Sequence, residues 1–332
     1  MVNVSVIVLN WNGKKHAGEC LESLFKQTYK DYEILFVDNS SSDGSVEFVK
    51  KRFPAEKYPK LRILPSGGNW GQGGGDNFGI KRAKGKYVVL LDNDTKADKD
   101  FLKEAVKVAE KDPKVGAVVA KLMFYDKPNL INSVGHGVFV DGSCVDLGIR
   151  EEDKGQYDEV KEIFSANAAG ILYRKDALED TAIEGEYLDA DFFTYYEDVD
   201  LGFRLRLAGW KIYINPKAIV WHKMNVSTSQ VSNLGLYSGI RNKPFFILKN
   251  YPTSLLAKYG PFIFGRWMVS FFYYLLKFNK TSLKARRDTF KMLPKMLHKR
   301  KIVQSKRKMS SNELEKWLMK RKFWEYFFFR YD

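Results

Sequence analysis

The sequence predicts an α/β fold with a mostly parallel sheet and flanking helices, followed by a helical extension that is basic and aromatic. Three observations predict it. Short apolar runs alternate with amphipathic stretches through the first half of the chain, several runs end in polar or acidic residues, and positive charge is concentrated near the end. Strands that are apolar on both faces are typical of parallel sheets covered by helices.

Four apolar runs are the predicted strands of this sheet. They span residues 4–9, 33–37, 87–91 and 115–122. The predicted helices that separate and follow them lie near residues 15–27, 44–53, 76–84, 98–111 and 186–208. The remaining segments are predicted as antiparallel strands and loops over 130–175 and as two short strands at 211–214 and 218–221. A boundary is predicted after residue 235, which divides the chain into a sheet domain, 1–235, and a helical membrane-associating region, 236–332.

The chain has 332 residues, of which 45% are hydrophobic, and this is enough for a sizeable buried core. Its net charge is +15, and residues 281–332 contribute +11 of it. A basic and aromatic segment of this kind indicates a polyanionic partner, either anionic lipid or nucleic acid. The two cysteines, Cys20 and Cys144, cannot build a disulfide framework, which favours a reducing cytosol.

The strongest candidate site is the acidic triplet Asp92, Asn93 and Asp94, directly after the predicted strand at 87–91. Alternate residues of an extended chain point the same way, so the carboxylates of Asp92 and Asp94 can share one side. Such oxygens are hard ligands suited to Mg2+ or Mn2+, and the cation can hold a diphosphate. An ordinary acidic turn after a strand is the alternative interpretation.

Two further candidates come later in the chain. Glu197, Asp198 and Asp200 open a predicted helix, where one carboxylate could deprotonate a sugar hydroxyl. Acids at a helix N-terminus also serve capping and the helix dipole, which is the competing interpretation. His222 follows a short strand, and its imidazole suits a divalent ion, although a lone histidine is more often structural.

A glycine-rich stretch over residues 67–79 is predicted to be a loop. Backbone amides there could approach an anion or a sugar because no Cβ atoms intervene. The stretch matches neither a phosphate-binding Walker motif nor a dinucleotide fingerprint. A plain flexible loop is the alternative.

Five segments occur in a characteristic order: VSVIVLNWNG, EILFVDNSSSDGS, GNWGQGGGDNFGIKRAKGKYVVLLDNDT, EYLDADFFTYYEDVDLGFRLRLAGW and IVWH. Together they resemble the family 2 glycosyltransferases, which have the GT-A fold, and the rhamnosyltransferase-like branch is the most similar. The resemblance covers roughly residues 3–225. The remainder of the chain lies outside it.

The resemblance implies a nucleotide-sugar site with a divalent cation, Mn2+ or Mg2+. The residues that would contact the nucleotide sugar are Asn10, Trp11, Asp38, Asn77, Asp92, Asn93 and Asp94. Asp94 and His222 would bind the metal. Asp198 would be the general base, and Glu197 would support it or contact the acceptor.

The implied activity is an inverting transfer of one sugar from a UDP-, dTDP- or GDP-linked donor. The acceptor would be a glycan or a lipid-linked molecule in surface polysaccharide or glycoconjugate synthesis. The Q-x-x-R-W signature of processive synthases is absent, because Ile263 stands where that signature has Gln before Arg266 and Trp267. Two other classes stay open: a non-catalytic nucleotide-sugar-binding or membrane-scaffold protein, and a nucleotidyltransferase, which would usually need a basic glycine loop near the first strand.

The region after residue 235 is expected to associate with an anionic membrane. Its most apolar segment, 260–278, has an uninterrupted run of only ten residues, which is short for a membrane span. The aromatic residues that stand beside basic ones are Trp267, Phe271, Phe272, Tyr273, Tyr274, Trp317, Phe323, Trp324, Phe327, Phe328 and Phe329. Without a signal peptide at the N-terminus, the expected location is cytoplasmic, peripheral at the inner membrane face. A helical subdomain with an internal core or a homodimer interface is the alternative, and no nucleic-acid partner is expected because no binding module accompanies the charge.

Overall fold

The computed structural model describes residues 2–165, 167–223 and 233–321. The aromatic residues named above between Phe323 and Phe329 lie outside the described residues, so the prediction made for them is not addressed. All statements on the fold concern the described ranges.

The four apolar runs at 4–9, 33–37, 87–91 and 115–122 are strands as predicted, whereas the strands at 61–65 and 95–97 were not predicted. The strands are β1 Val4–Asn10, β2 Tyr32–Asp38, β3 Leu61–Pro65, β4 Tyr87–Asp92, β5 Thr95–Ala97, β6 Val115–Phe124, β7 Ile131–Ser133, β8 His136–Val138, β9 Cys144–Asp146, β10 Lys161–Glu162, β11 Ile171–Arg174 and β12 Lys211–His222. The helices are α1 Lys14–Phe25, α2 Ser45–Arg52, α3 Gly71–Ile80, α4 Phe101–Ala109, α5 Lys175–Thr181, α6 Glu197–Leu207, α7 Leu234–Asn250, α8 Thr253–Leu276, α9 Lys280–Ser305 and α10 Ser311–Trp317.

One large sheet organises the first two thirds of the chain, in the order β10-β12-β6-β11-β4-β1-β2-β3. Strands β4, β1, β2 and β3 are mutually parallel, and β12 runs parallel to β6. Strand β11 is antiparallel to both of its neighbours, β4 and β6. The prediction of a mostly parallel sheet with flanking helices and a helical extension is confirmed.

Both faces of the central strands are buried, as the continuous apolar runs predict. In β1, Val4, Val6 and Val8 point into one core, and Ile7 and Leu9 point into the other. The alternation follows from the two-residue period of a strand. Because helices cover both faces, the carboxyl ends of the strands are the edge that remains for a ligand.

The glycine-rich stretch is mostly a helix, α3, which begins at Gly71; the helix predicted near 76–84 therefore starts earlier than expected, and the predicted loop is confined to residues 67–70. Its glycines let the helix lie directly on β1: a Cβ on Gly75 would stand 2.5 Å from Leu9 Cδ1, and one on Gly79 would stand 2.8 Å from Ile7 Cγ2. Gly71 begins the helix with φ +68°, a conformation that glycine adopts without strain. Close packing and one left-handed residue therefore explain the composition.

Two other segments differ from their predictions. The helix expected over 186–208 is confined to α6, because Phe193, Tyr195 and Tyr196 have positive φ angles of 65°, 65° and 77° that interrupt it. The two strands expected at 211–214 and 218–221 are one strand, β12, with an irregular register between Asn215 and Ile219.

The helices after residue 235 share a core with the sheet domain. Phe203 of α6 packs against Phe246 and Tyr251, at ring-centroid distances of 5.2 and 5.5 Å. Asn242 of α7 donates hydrogen bonds to the carbonyls of Thr194 and Tyr195, at 2.9 and 2.8 Å. The predicted boundary at residue 235 thus marks a change of architecture at the start of α7, across which the packing is continuous.

A buried ionic cluster joins α7 and α9 to the segment before α6. Lys249 pairs with Asp189 and lies 2.8 Å from Asp200, and Lys299 lies 2.5 Å from Asp189. The side chains of Lys249, Asp189 and Asp200 are fully buried. Burial alone would raise the pKa of Asp189, but the two lysines hold it well below its ordinary range, so the ionised form of Asp189 is favoured in the folded protein.

Replacing Lys249 with Met should destabilise the fold by about 3–5 kcal/mol, because two buried carboxylates lose a cation. Chemical denaturation followed by circular dichroism measures this free energy of unfolding. Lys258→Met is the matched control, since Lys258 is half-exposed and pairs with Glu315 at 2.8 Å; a loss of at most about 1 kcal/mol is expected there. Equal losses in the two variants would contradict the assignment of the cluster as a stabilising link.

In the described residues, no helix combines the length and the apolar character that a bilayer crossing requires.

Candidate active site

The carboxyl ends of β1, β2 and β4 bring the predicted site residues to one edge of the sheet. Asn10 pairs with Asp38 in the strand register, and its Nδ2 donates to the Asp38 carboxylate at 2.9 Å. Asn93 Nδ2 donates to Asn10 Oδ1 at 2.6 Å. The backbone amide of Ser41 also donates to Asp38, at 3.0 Å. Asn10, Asp38 and Asn93 therefore form one polar chain that fixes the loops at this edge.

Asp92, Asp94 and His222 form a candidate metal centre beyond β4 and β12. His222 Nε2 lies 3.3 Å from Asp94 Oδ1 and 3.9 Å from Asp92 Oδ2. One ligand atom from each residue falls within 4.8 Å of the other two. Strand β5 pairs with β12 and places His222 opposite Thr95, which explains how residues 128 positions apart meet. Two carboxylates and one imidazole are a donor set that fits Mn2+ and also accepts Mg2+.

Neighbouring side chains orient these donors. His222 Nδ1 lies 3.2 Å from the amide oxygen of Asn132, which can only accept, so Nε2 is left to face Asp92 and Asp94. Gln72 Nε2 donates to Asp92 Oδ1 at 3.2 Å. Neither residue was predicted, because nothing in the sequence indicates that Asn132 contacts His222 or that Gln72 contacts Asp92.

The electrostatics also favour a cation. Burial and the adjacent charge of Asp94 raise the pKa of Asp92 to about 6. Burial would lower the pKa of His222, but its hydrogen bond to Asp94 and the charges of both carboxylates raise it. Carboxylates held this close repel one another, and a divalent cation would relieve that repulsion.

Glu197 and Asp198 stand at the start of α6 and line the same cavity as the metal centre. Asp198 is partly exposed, and its carboxylate accepts hydrogen bonds from the backbone amides of Val199, at 2.7 Å, and Ala168. Burial raises the pKa of Asp198 above its ordinary value. Glu197 is 5% exposed with one carboxyl oxygen unpartnered, and burial together with the charge of Asp198 raises its pKa much further. Of the two adjacent acids, Glu197 is therefore the one whose protonated form is favoured more strongly.

The strained turn before α6 aims these carboxyl groups. Phe193, Tyr195 and Tyr196 have left-handed φ angles. Such angles cost free energy, and they persist only where contacts with the surrounding structure offset that cost. The side-chain amide of Asn242 stabilises the turn by donating hydrogen bonds to its backbone carbonyls, and the Gln72 backbone amide donates to the Phe193 carbonyl at 2.7 Å. The C-terminal helices therefore help to shape the site.

One cavity of about 1320 Å3 joins the metal centre to the α6 carboxylates. Trp11, Asp92, Asn93 and Asp94 line it, and the cavity continues between α7, α8 and α9. Asn77 is not among its lining residues: its amide donates to the Leu188 carbonyl at 2.7 Å and accepts from two backbone amides. Asn77 holds the segment that leads to Glu197, whereas Asn10 and Asp38 lie beneath the cavity wall.

The cavity contains a histidine–aspartate pair that the sequence reasoning missed. His136 Nε2 lies 3.3 Å from Asp146 Oδ1, and both residues line the cavity near Asp198. The pKa of His136 is raised against the effect of burial by Asp146 and Asp198. These residues sit on strands of three residues each, which carry no periodic signal; the scarcity of histidine was the only clue available.

A candidate cation-binding triad lies at the strand ends of a mostly parallel sheet, with two carboxyl groups lining the same cavity, and this sheet with its flanking helices is a GT-A fold. The chain belongs to glycosyl transferase family 2, whose family model matches residues 5–181. The predicted family is confirmed. Asp198 and His222 lie beyond the matched residues, so their placement comes from the structure alone.

Two curated relatives indicate the breadth of the family. Poly-beta-1,6-N-acetyl-D-glucosamine synthase of Staphylococcus epidermidis is 25% identical over 219 residues, which cover 66% of this chain and 49% of the synthase. A dolichyl N-acetyl-alpha-D-glucosaminyl phosphate 3-beta-D-2,3-diacetamido-2,3-dideoxy-beta-D-glucuronosyltransferase of Methanococcus voltae is 25% identical over 268 residues, 76% of this chain and 78% of that protein. The chain therefore spans about half the length of the synthase.

Solved structures show the same fold. TarS 1-349 of S. aureus in complex with UDP matches with TM-score 0.52 and 21% identity over 75% of this chain and 66% of that chain. GalNAc-T7 with UDP, GalNAc and Mn2+ matches with TM-score 0.59 and 13% identity over 75% of this chain and 50% of that chain. Mannosyltransferase PcManGT from Pyrobaculum calidifontis with GDP-Man and Mn2+ matches with TM-score 0.55 and 17% identity over 91% of this chain and 73% of that chain.

Proposed function

We propose that the protein is a metal-dependent glycosyltransferase that uses a nucleotide-diphosphate sugar and inverts the anomeric carbon. The observation that carries this proposal is a single cavity lined both by the clustered Asp92, Asp94 and His222 and by Asp198, which lies outside that cluster. Such an arrangement separates a cation for the leaving diphosphate from a base for the acceptor. An in-line displacement needs both.

In this mechanism Asp198 takes the proton of the acceptor hydroxyl while its oxygen bonds to the anomeric carbon of the donor. The bond from that carbon to the diphosphate breaks, and a nucleoside diphosphate leaves. A bound Mn2+ or Mg2+ supplies Lewis-acid stabilisation of the leaving group. Burial raises the pKa of Glu197, which favours the protonated form that would donate a hydrogen bond beside Asp198. Trp11 and Asn93 line the cavity on the donor side.

The donor is proposed as UDP-, dTDP- or GDP-linked. UDP in TarS and in GalNAc-T7 and GDP-Man in PcManGT support a nucleoside diphosphate, and the Mn2+ of the last two supports the metal. Transfer of rhamnose or another hexose stays a prediction, as does the rhamnosyltransferase-like branch.

The acceptor is proposed as a glycan or a lipid-linked molecule, with one sugar transferred per encounter. The names of the two curated relatives, one a polysaccharide synthase and the other acting on a dolichyl-linked sugar phosphate, support this pair of classes. The absent Q-x-x-R-W signature supports single transfer. A homodimer stays a prediction.

A peripheral position at the inner membrane face is proposed for the helices α8 and α9. The side chains of Phe264, Leu276 and Phe278 are 61%, 79% and 85% exposed. Exposed Lys277 and Lys280 stand beside them. Apolar side chains next to cations are the pattern of a surface that contacts anionic lipid head groups.

The double variant Leu276→Ser with Phe278→Ser should lower the vesicle partition coefficient at least tenfold, because two inserted apolar side chains are lost. Sedimentation with phosphatidylglycerol vesicles measures it. Val160→Ser is the matched control, since Val160 is 41% exposed on the sheet domain. If the double variant and the unaltered protein sedimented equally with the vesicles, the proposed membrane contact would be contradicted.

A thermal-shift screen of nucleotide sugars tests donor binding. A donor at a hundredfold excess over its dissociation constant should stabilise the fold by about 2.7 kcal/mol, and the shift should require Mn2+ or Mg2+. No shift with any UDP-, dTDP- or GDP-sugar in the presence of either cation would count against the proposal.

A further inference from the structure

Arg286 of α9 is a buried cation that has no carboxylate partner among the described residues. It is 4% exposed. Its Nη2 donates to the Ser270 hydroxyl at 2.9 Å, its Nη1 reaches the Trp267 carbonyl at 3.5 Å, and its Nε has no partner. A buried charge without a counter-ion is costly unless a ligand supplies one.

The other cations at this part of the cavity differ from Arg286 in this respect. Lys243 and Arg266 both pair with Asp141, at 3.2 and 3.3 Å. Burial lowers the pKa of Arg286 to about 10, so its guanidinium remains charged at neutral pH. Of these three cations, Arg286 is thus the one whose charge an added anion could neutralise.

The surroundings of Arg286 are aromatic. Its guanidinium carbon lies 4.5 Å from the ring centroid of Trp267 and 5.5 Å from that of Phe271. The ring of Phe290 stands edge-on to Trp267 at 5.9 Å. These contacts fix the guanidinium in one orientation. They also surround it with apolar surface, with which a small hydrated anion would make no favourable contact.

The cavity that Arg286 lines is continuous with an exposed apolar surface. Phe264, Trp267, Phe290 and Leu293 line this cavity together with Asp198. Phe264 and Phe290 are 61% and 62% exposed. One cavity therefore combines exposed apolar side chains, a buried cation and the proposed base, which fits a ligand with a hydrocarbon chain, an anionic group and a polar head.

We propose that Arg286 binds the phosphate of a long-chain lipid phosphate, with the hydrocarbon chain along α8 and α9 and the polar head group in the catalytic cavity. This inference rests on the proposed function, because the head group would carry the acceptor hydroxyl. Guanidinium donors match phosphate oxygens in a fork geometry. The site thus selects a lipid-linked acceptor over a free glycan.

Equilibrium dialysis of the full chain against farnesyl phosphate, inorganic phosphate and farnesol tests the proposal. The unaltered protein should bind farnesyl phosphate at least tenfold more tightly than either of the other two. Arg286→Met should weaken farnesyl phosphate binding at least tenfold and leave farnesol binding unchanged. Arg287→Met is the matched control on the same helix, since Arg287 is 65% exposed, and should bind like the unaltered protein.

Phe290→Ser gives a second variant that does not depend on the folding of Arg286→Met. The exposed ring is lost, so farnesyl phosphate binding should weaken about tenfold while inorganic phosphate binding is unchanged. Equal binding of farnesyl phosphate by the Arg286 and Arg287 variants would overturn the proposal. Inorganic phosphate binding as tightly as farnesyl phosphate would overturn it too, because the site would then hold a plain anion.

Hydrolysis of the donor without acceptor separates this inference from the proposed function. Hydrolysis by the unaltered protein should depend on the cation and Asp94 and should be the same in the control Arg287→Met. Intact hydrolysis with no farnesyl phosphate binding rejects only the lipid phosphate site. If the unaltered protein neither binds nor hydrolyses the donor, the proposed function itself is rejected.

Discussion

Replacing Asp198 with Asn should reduce sugar transfer by about 10^2–10^4-fold, because the acceptor hydroxyl loses its general base. Donor affinity should change little, since Asp198 lies outside the cluster of candidate metal ligands. Initial rates with the preferred nucleotide sugar, together with donor binding by thermal shift, measure the two effects separately. A variant that transfers sugar at the unaltered rate would remove the base assignment.

Glu197→Gln is the matched comparison for Asp198→Asn. Burial and the charge of Asp198 raise the pKa of Glu197, which favours its protonated form, and Gln has the shape and hydrogen-bonding capacity of that form. We expect Glu197→Gln to retain activity within about tenfold. If Glu197→Gln were inactive and Asp198→Asn active, the two roles would be exchanged.

The pH dependence follows from the same assignment. A base works when deprotonated, and burial raises the pKa of Asp198 above the ordinary carboxyl range. At saturating Mn2+ the rate should therefore fall on acidification through that raised pKa. Asp198→Asn should lose this acidic limb of the rate profile.

Replacing Asp94 with Ala should lower turnover by at least about a hundredfold, because a metal ligand contributes to several kcal/mol of transition-state stabilisation. Nucleotide-sugar binding should lose its dependence on Mn2+. Calorimetric titration with Mn2+ and nucleoside diphosphate checks this, and chelation with EDTA should abolish activity of the unaltered protein reversibly.

Asp126→Asn is the control for Asp94→Ala, since Asp126 is exposed just after β6 and lies outside the triad. It should bind Mn2+ as the unaltered protein does. Mn2+ binding that is equal in the Asp94 and Asp126 variants would contradict the metal centre.

The parts of the fold that follow from local pattern were predicted from sequence. The runs in β1, β2 and β4 predict a parallel sheet because their residues are apolar on both faces, and parallel strands bring their carboxyl ends to one edge. That rule alone places Asp92 and Asp94 near Asn10. The meeting of His222 with them is less accessible to sequence, because it depends on β5 pairing with β12.

The remaining features depend on long-range packing. The helix predicted near 76–84 begins earlier, at Gly71, because the close approach of α3 to β1 overrides the low helix propensity of glycines such as Gly75. His136 and Asp146 lie on strands too short to show a period. Arg286 joins the site because α8 and α9 fold back over the sheet domain, and nothing in the local sequence indicates where a helix of the extension will dock.

The central claim is metal-dependent sugar transfer from a nucleotide sugar. Its most direct test follows a radiolabelled sugar from each candidate donor, with and without Mn2+, in the unaltered protein and in Asp198→Asn. The account predicts that nucleoside diphosphate release and labelled product appear together, only with the cation, and that both fall at least a hundredfold in the variant. Donor that binds tightly but is never turned over, with either cation and with glycan or lipid-linked acceptors, would contradict it and indicate a non-catalytic nucleotide-sugar-binding protein.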